Sequence, residues 1–184
     1  MKIIPSKLSG VRIIEPVVFG DSRGYFFETW NACGYEKILG PASFIQDNIS
    51  FSRRGVLRGL HFQNPNAQGK LISVLAGEVY DVTVDLRRNS PTFGEWEAFS
   101  ISSENKLQLF LPPGFAHGFQ VVSETVLFHY KCTSPYSVAD EHTLSWDDPD
   151  LGIPWPVASP ILSAKDSRSK RLRELAPEQL FQMS

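Results

Sequence analysis

The chain consists largely of short segments rich in β-branched and aromatic residues, separated at regular intervals by Gly, Pro, Asn and Ser. Many short strands at even spacing are typical of a β-sandwich or barrel, so we predict an all-β fold. Helix signals are confined to 31–40 and 169–180. The predicted strands lie within 11–19, 23–30, 43–52, 56–63, 70–87 (two strands joined at Gly77), 94–102, 107–112, 118–124 and 125–132.

Length and composition predict one globular domain spanning 1–184. The chain has 184 residues, of which 42% are hydrophobic and 21% charged. A net charge of −2 argues against binding nucleic acid through bulk charge. The segment 1–10 lacks the apolar core of a signal peptide, and no apolar run reaches the about 18 residues of a membrane span. We expect a cytoplasmic protein in which Cys33 and Cys132 are buried free thiols.

The segment 79–86 has one polar face. Alternation places Val79, Asp81, Thr83 and Asp85 on the same side of a strand. Two interpretations remain open from this pattern. The face either contacts solvent, or it lines a ligand cavity as in a small barrel.

The stretch "GVLRGLHFQ" (55–63) contains a cation and an imidazole inside an apolar strand. Strict alternation would place Arg58 and His61 on opposite faces, whereas a bulge at Gly59 would bring both to one face. The alternative is a hydrogen-bonded core histidine beside an arginine that reaches solvent from an edge strand. Burying both groups requires partners for both, which favours a functional site.

The stretch "LPPGFAHGF" (111–119) places His117 after a tight turn and resembles the second motif of cupin barrels. A metal site needs about three or four ligands. The region matching the first cupin motif has one histidine and no nearby Glu, and His129 and His142 lie elsewhere in the sequence. We therefore predict no metal.

Acid–base chemistry without a metal must come from side chains. His61 titrates near neutrality and is the natural general base, with Asp166 as the carboxylate that holds its far nitrogen. Lys70 can stabilise an oxyanion, and Tyr130 can donate a proton. The alternative for Tyr130 is a strand tyrosine whose hydroxyl sits at the barrel rim.

Seven motifs in order give the chain a resemblance to the dTDP-4-dehydrorhamnose 3,5-epimerase family. The resemblance runs from about residue 3 to residue 175, and it implies a cupin-type jelly-roll barrel. The motifs are "DSRGYFFETW" (21–30), "QDNISFS" (46–52), "GVLRGLHFQ" (55–63), "GKLISVLAGEVYDVTVDLR" (69–87), "LPPGFAHGFQVVSE" (111–124), "YKCTSPYS" (130–137) and "LSAKD" (162–166).

The resemblance also assigns roles by position. It implies that His61 is the base paired with Asp166, that Tyr130 is the acid, and that Lys70 lies by the sugar carbonyl oxygen. Tyr136 matches the tyrosine that stacks on the thymine base. The other implied substrate-binding residues are Arg23, Glu28, Gln46, Asn48, Arg58, His117, Glu141 and Lys165.

The implied substrate is dTDP-4-dehydro-6-deoxy-D-glucose. Its C4 ketone acidifies the hydrogens at C3 and C5, so epimerisation at both centres proceeds through an enolate and needs no cofactor. The family also implies a homodimer in which N-terminal strands add to the partner's sheet. The alternatives are a 3- or 5-epimerase of a related dTDP-keto-sugar, a non-catalytic nucleotide-sugar-binding cupin, and a metal-dependent cupin.

Overall fold

A computed structural model describes residues 1–182 and contains two antiparallel β-sheets packed on each other. The six-stranded sheet has the order β1 (Lys2–Pro5), β2 (Arg12–Glu15), β10 (Gln108–Leu111), β7 (Lys70–Ala76), β12 (Thr125–Cys132) and β5 (Gln46–Arg53). The five-stranded sheet has the order β13 (Glu141–Thr143), β6 (Leu57–Gln63), β11 (Phe115–Val121), β8 (Glu78–Asp85) and β9 (Trp96–Ser102).

The remaining elements are few, as the sequence predicts. A separate hairpin joins β3 (Val18–Asp21) to β4 (Gly24–Phe27), and α1 (Ala32–Leu39) follows it. Short 3₁₀ turns occur at Asp166–Arg168, Leu172–Glu174 and Pro177–Gln179. Within residues 1–182, no helix has the length and apolar character needed to cross a membrane.

The main core lies between the two sheets and confirms the all-β prediction. Ile72 and Phe128 of the six-stranded sheet share one buried cluster with Ile101 and Phe119 of the five-stranded sheet. A second cluster packs the C-terminal turns and the 151–155 segment on the outer side of the five-stranded sheet, where Val82 and Val84 are buried. The β6 and β8 strands are therefore covered on both faces, and polar groups on them must find partners inside the protein.

The polar face of segment 79–86 is buried, so the solvent-face interpretation is wrong. Asp81, Thr83 and Asp85 are all 0% exposed. This face is buried because β8 lies between β11 and β9, with the six-stranded sheet packed over it. Asp85 is paired with Arg87 at 2.7 Å, and Asp81 faces the site described below.

The predicted single strand 11–19 is divided at Pro16. Its first half forms β2, which lies between β1 and β10 rather than at a sheet edge. Its second half begins the separate β3–β4 hairpin. The edges of the six-stranded sheet are therefore β1 and β5.

The two thiols differ in burial, contrary to expectation. Both are free, but Cys132 is buried on β12 whereas Cys33 is exposed. Tyr35, Ile38 and Leu39 form the side of α1 that packs on the sheet. At about 100° of rotation per residue, Cys33 points away from that side.

The bulge predicted at Gly59 is present. His61 pairs with His117 and Arg58 pairs with Phe119, so two residues of β6 oppose the single residue Gly118 of β11. The backbones approach closely here: a Cβ atom on Gly59 would lie 2.5 Å from the Gly118 Cα atom and 2.8 Å from the His117 carbonyl oxygen. Glycine at both positions is what permits Arg58 and His61 to share one face.

Replacing Gly59 tests this contact. Gly59 has φ +127°, so Gly59→Ala introduces both backbone strain and a backbone clash. Gly40→Ala is the matched control, because Gly40 has φ +77° with nothing within 4 Å of its Cβ position and lies outside the β3–β4 hairpin. Chemical denaturation should show a loss of stability for Gly59→Ala that exceeds the control's by roughly 1–3 kcal/mol, the usual cost of overpacking. Equal losses in the two variants would contradict the close approach.

Candidate active site

A cavity of about 370 Å³ opens between the two sheets. Ten of the thirteen predicted site residues line it, and Asp166 lies directly behind His61. The cavity therefore gathers eleven predicted residues from distant parts of the chain. Those lining it are Gln46, Asn48, Arg58, His61, Lys70, His117, Tyr130, Tyr136, Glu141 and Lys165.

His61 and Asp166 form the hydrogen-bonded pair that the sequence suggests. The His61 Nε2 atom lies 2.6 Å from Asp166 Oδ1, and the Asp166 side chain is only 2% exposed. Burial lowers the pKa of His61 below its usual value, and the hydrogen bond and charge of Asp166 oppose this shift. Because Nε2 is bonded to the carboxylate, Nδ1 is the nitrogen available to a ligand proton.

Lys70 supplies a desolvated cation at the cavity wall. It begins β7, where its register neighbours are Cys132 on β12 and Leu111 on β10. Burial lowers its pKa, and the nearby Cys132, Asp81 and Glu141 act in the opposite direction. An ammonium group with so little water around it attracts a developing oxyanion more strongly than one in solvent does.

A second histidine–carboxylate pair lies beside the first. His117 Nε2 is 3.0 Å and 2.9 Å from the two oxygens of Asp81, and both side chains are buried. Burial raises the pKa of Asp81, although its contacts with His117 and Lys70 oppose this. Asp81 is therefore the buried partner that the polar face of β8 supplies to a cavity-lining histidine.

Tyr130 faces the cavity from the opposite sheet to His61. It lies on β12, between Asn48 of β5 and Ile72 of β7. Burial raises the pKa of its phenol. The hydroxyl therefore keeps its proton at neutral pH and can act as a donor.

Polar contacts organise the cavity mouth. Tyr136 is 51% exposed, and its hydroxyl donates to Glu141 at 3.0 Å. Lys165 donates to the other oxygen of Glu141 at 2.6 Å. The Tyr136 backbone N–H donates to Gln46 at 2.9 Å, and Gln46 donates to Asn48 at 2.9 Å. An aromatic ring and a cation are thus held at the entrance.

Several cavity residues were not predicted. Ser50 could have been found from the alternation of β5, since it follows Gln46 and Asn48 at the same spacing of two. Cys132 follows Tyr130 in the same way on β12. Gln63, Phe119 and Phe128 likewise lie two residues from His61, His117 and Tyr130 on the same strands. Alternation does not mark the remaining two, Phe62 and Gln68.

Arg23 and Glu28 do not join this cavity within one chain. Arg23 lies in the turn of the β3–β4 hairpin, where it is 88% exposed and pairs with Asp21 at 2.6 Å. Glu28 follows the hairpin and is hydrogen-bonded to Asn31 at the start of α1. The sequence resemblance placed both in the substrate site, but the hairpin carries them away from the chain's own cavity.

No group of three or more His, Cys, Asp or Glu residues within 1–182 is arranged to hold a metal ion. The two histidines of the cavity are each bonded to a separate carboxylate rather than converging on one point. Metal-independent chemistry stays a prediction of the sequence.

Comparison with known proteins identifies the family. The family model for dTDP-4-dehydrorhamnose 3,5-epimerase matches residues 5–174. The chain belongs to the dTDP-4-dehydrorhamnose 3,5-epimerase family. The dTDP-4-dehydrorhamnose 3,5-epimerase of Pseudomonas aeruginosa is 51% identical over 172 residues, covering 92% of this chain and 95% of that protein.

Solved structures agree with this assignment and with the cupin-type fold. The dTDP-6-deoxy-D-glucose-3,5-epimerase of Legionella pneumophila, in complex with dTDP-4-keto-L-rhamnose, superposes with a TM-score of 0.96 at 48% identity. That match covers 100% of this chain and 98% of the Legionella chain. A relative with a narrower activity is also similar. The 3'-monoepimerase ChmJ of Streptomyces bikiniensis, in complex with dTDP-quinovose, has a TM-score of 0.85 at 34% identity, covering 92% and 87% of the two chains.

Proposed function

We propose that this protein epimerises dTDP-4-dehydro-6-deoxy-D-glucose at C3 and C5 to give dTDP-4-dehydro-L-rhamnose. The observation that carries the proposal is the placement of base and acid on opposite walls. His61 projects from the five-stranded sheet and Tyr130 from the six-stranded sheet, and both line the cavity between them. Inversion of a carbon centre requires a proton to leave from one face and return to the other, which this arrangement provides.

Each inversion is a pair of proton transfers through an enolate. His61 removes the proton from C3 or C5, and the electron pair moves onto the C4 oxygen. Lys70, assisted by His117, stabilises that oxyanion. Tyr130 then protonates the carbon from the opposite side, and the carbonyl is restored. The ketone of the substrate accepts the electron pair, so the proposed route uses no metal or redox cofactor.

The rest of the cavity suits a nucleoside diphosphate. Arg58 and Lys165 are cavity-lining cations that complement the diphosphate, and Arg58 is held by a hydrogen bond from its Nε atom to Ser52 at 3.0 Å. Tyr136 presents its ring at the mouth, where it can stack on the thymine base. Gln46 and Asn48 supply amide groups beside it.

Epimerisation at both centres is favoured over a single centre by the degree of similarity. The 3,5-epimerases of Pseudomonas aeruginosa and Legionella pneumophila are 51% and 48% identical to this chain, whereas the 3'-monoepimerase is 34% identical. A 3- or 5-epimerase of a related dTDP-keto-sugar remains the second candidate. A non-catalytic binding protein would not need a hydrogen-bonded His61–Asp166 pair facing Tyr130.

A cytoplasmic location stays a prediction.

Deuterium exchange tests the reaction itself. Incubation of the wild-type protein with dTDP-4-dehydro-6-deoxy-D-glucose in D₂O should place deuterium at both C3 and C5, as read by NMR. His61→Asn should reduce both exchanges by at least about 10²-fold, the usual contribution of a general base, while dTDP affinity measured by calorimetry is retained. Deuterium at C3 alone in the wild type would identify a single-centre epimerase instead.

Tyr130→Phe separates enolate formation from inversion. This change removes only the hydroxyl, so the packing of the ring against Phe128 is kept. Because His61 and Lys70 remain, the sugar should still exchange deuterium. The doubly inverted product should fall by at least about 10²-fold, since the opposite face has lost its donor. Undiminished product stereochemistry in the same sample would show that another group donates the proton.

We further propose that the protein is a homodimer in which the hairpin completes the partner's site. The hairpin pairs only with itself within residues 1–182, and it exposes Phe19 by 62% and Phe26 by 70%. The edge strand β5 exposes Ile49 and Phe51 by 63% and 60%. Both apolar surfaces and the unpaired strand edge would be covered by a second copy. Such a dimer would carry Arg23 and Glu28 to the partner's cavity.

Mixed dimers test this assembly. If Arg23 acts in the partner's site, a dimer of one His61→Asn subunit and one Arg23→Ala subunit has one intact site, with wild-type His61 and a wild-type Arg23. Co-refolding equal amounts of the two variants should restore about a quarter of wild-type sites, because half of the dimers are hybrids. The assay is product formation at low substrate concentration, and each variant alone is the control. An additive mixture with no gain would place Arg23 outside the partner's site.

A further inference from the structure

We propose that Ser163 is a positioning residue that holds Asp166 in register with His61. The inference rests on the proposed epimerase function and adds a third member to the His61–Asp166 pair. The segment 161–168, called the strap here, carries both Ser163 and Asp166 across β6. The sequence motif "LSAKD" contains this serine, but the mechanism above gives it no role.

The strap is fixed at its start by backbone hydrogen bonds to the beginning of β6. The Ile161 N–H donates to the Gly55 carbonyl at 2.9 Å, and the Leu57 N–H donates to the Ile161 carbonyl at 3.0 Å. These hydrogen bonds fix the position of the strap relative to β6, but they do not orient the Asp166 carboxylate. That orientation requires a contact with the side chain itself.

Ser163 forms two hydrogen bonds with Asp166, one of them to the carboxylate. Its hydroxyl donates to Asp166 Oδ2 at 2.8 Å, and its oxygen accepts the Asp166 backbone N–H at 3.1 Å. The other carboxylate oxygen, Oδ1, is the atom bonded to His61. The two oxygens therefore have one partner each, and rotation of the carboxylate would break both hydrogen bonds together.

Ser163 is placed to act only through Asp166. It does not line the substrate cavity, whereas it lines a neighbouring groove together with His61 and Asp166. Loss of its hydroxyl should therefore affect proton transfer more than substrate binding. Replacing a residue that contacts the nucleotide sugar directly would instead affect substrate binding more than proton transfer.

The electrostatic effect of the hydroxyl has a definite direction. Burial acts to raise the pKa of Asp166, yet the hydrogen bonds from His61 and Ser163 leave it below its usual value. Without the Ser163 hydroxyl, the Asp166 carboxylate is no longer held against His61, and the hydrogen bond and charge that raise the pKa of His61 against burial are weakened. The pKa of His61 should therefore fall. The other charged or titratable groups facing the same cavity are unchanged: Arg58 on β6, Lys165 on the strap, Lys70 on β7, Tyr130 on β12, Tyr136 at the mouth, Glu141 on β13, and the His117–Asp81 pair on β11 and β8.

Ser163→Ala tests the inference. Since the base must be unprotonated to act, the acid limb of the pH profile of kcat/KM should move to lower pH. The value of kcat should fall by about 10-fold, consistent with loss of a hydrogen bond to a charged group, while KM stays within about twofold of wild type. Ser163→Thr, which keeps the hydroxyl, should restore both the rate and the acid limb. Ser163→Cys, a weaker donor, should fall between them.

Ser167→Ala is the matched control. It removes a hydroxyl from the same strap, but one that donates to the Ala164 carbonyl at 3.1 Å rather than to Asp166. It should leave the acid limb and kcat at wild-type values. An unshifted acid limb in Ser163→Ala, a rise in KM without a change in kcat, or the same shift in Ser167→Ala would each overturn the inference.

An NMR titration of the His61 ring separates this inference from the function on which it rests. The His61 resonance should titrate at lower pH in Ser163→Ala than in the wild type, and at the wild-type pH in Ser163→Thr. This readout needs no substrate. Inactivity of the wild-type protein toward the nucleotide sugar would overturn the proposed function alone, whereas an unmoved His61 titration in Ser163→Ala would overturn the role of Ser163.

Discussion

The close contact between Gly59 on β6 and Gly118 on β11 is the constraint on which the site depends. Neither strand has room for a Cβ atom at this point, since one on Gly118 would lie 2.6 Å from the Arg58 carbonyl oxygen. The contact creates the bulge that turns Arg58 and His61 to the same face. With ordinary pairing, one of these side chains would point into the outer core, where a charged group has no partner.

Around that bulge, the protein keeps ionisable groups in a low-water environment by pairing them. His61 is paired with Asp166 and His117 with Asp81, so each histidine has a carboxylate behind it and a free edge toward the cavity. Lys70 has no such direct ion pair among the described residues, and burial lowers its pKa. This division suits a site in which the histidines are held in place while the lysine remains available to an incoming oxygen.

The two sheets contribute different chemistry to the cavity. The five-stranded sheet supplies Arg58, His61 and His117, whereas the six-stranded sheet supplies Lys70 and Tyr130. A proton acceptor and a proton donor are therefore separated by the width of the cavity rather than placed side by side. Tyr136 and Lys165 come from loops at the mouth, where Glu141 at the start of β13 links them and so connects the entrance with the strap that carries Asp166.

Local sequence patterns account for the fold class and the core of the site, and the family resemblance adds most of the remaining site residues. Strand spacing predicts the all-β architecture, alternation finds the polar face of β8, and Gly59 between Arg58 and His61 predicts the bulge, because these are properties of neighbouring residues. Other features depend on contacts between distant segments. Burial of the β8 carboxylates depends on the opposite sheet, and Ser163 matters because the strap brings Asp166 to β6. The separation of the β3–β4 hairpin from both main sheets, which leaves Arg23 outside the chain's own cavity, is not encoded in strand periodicity.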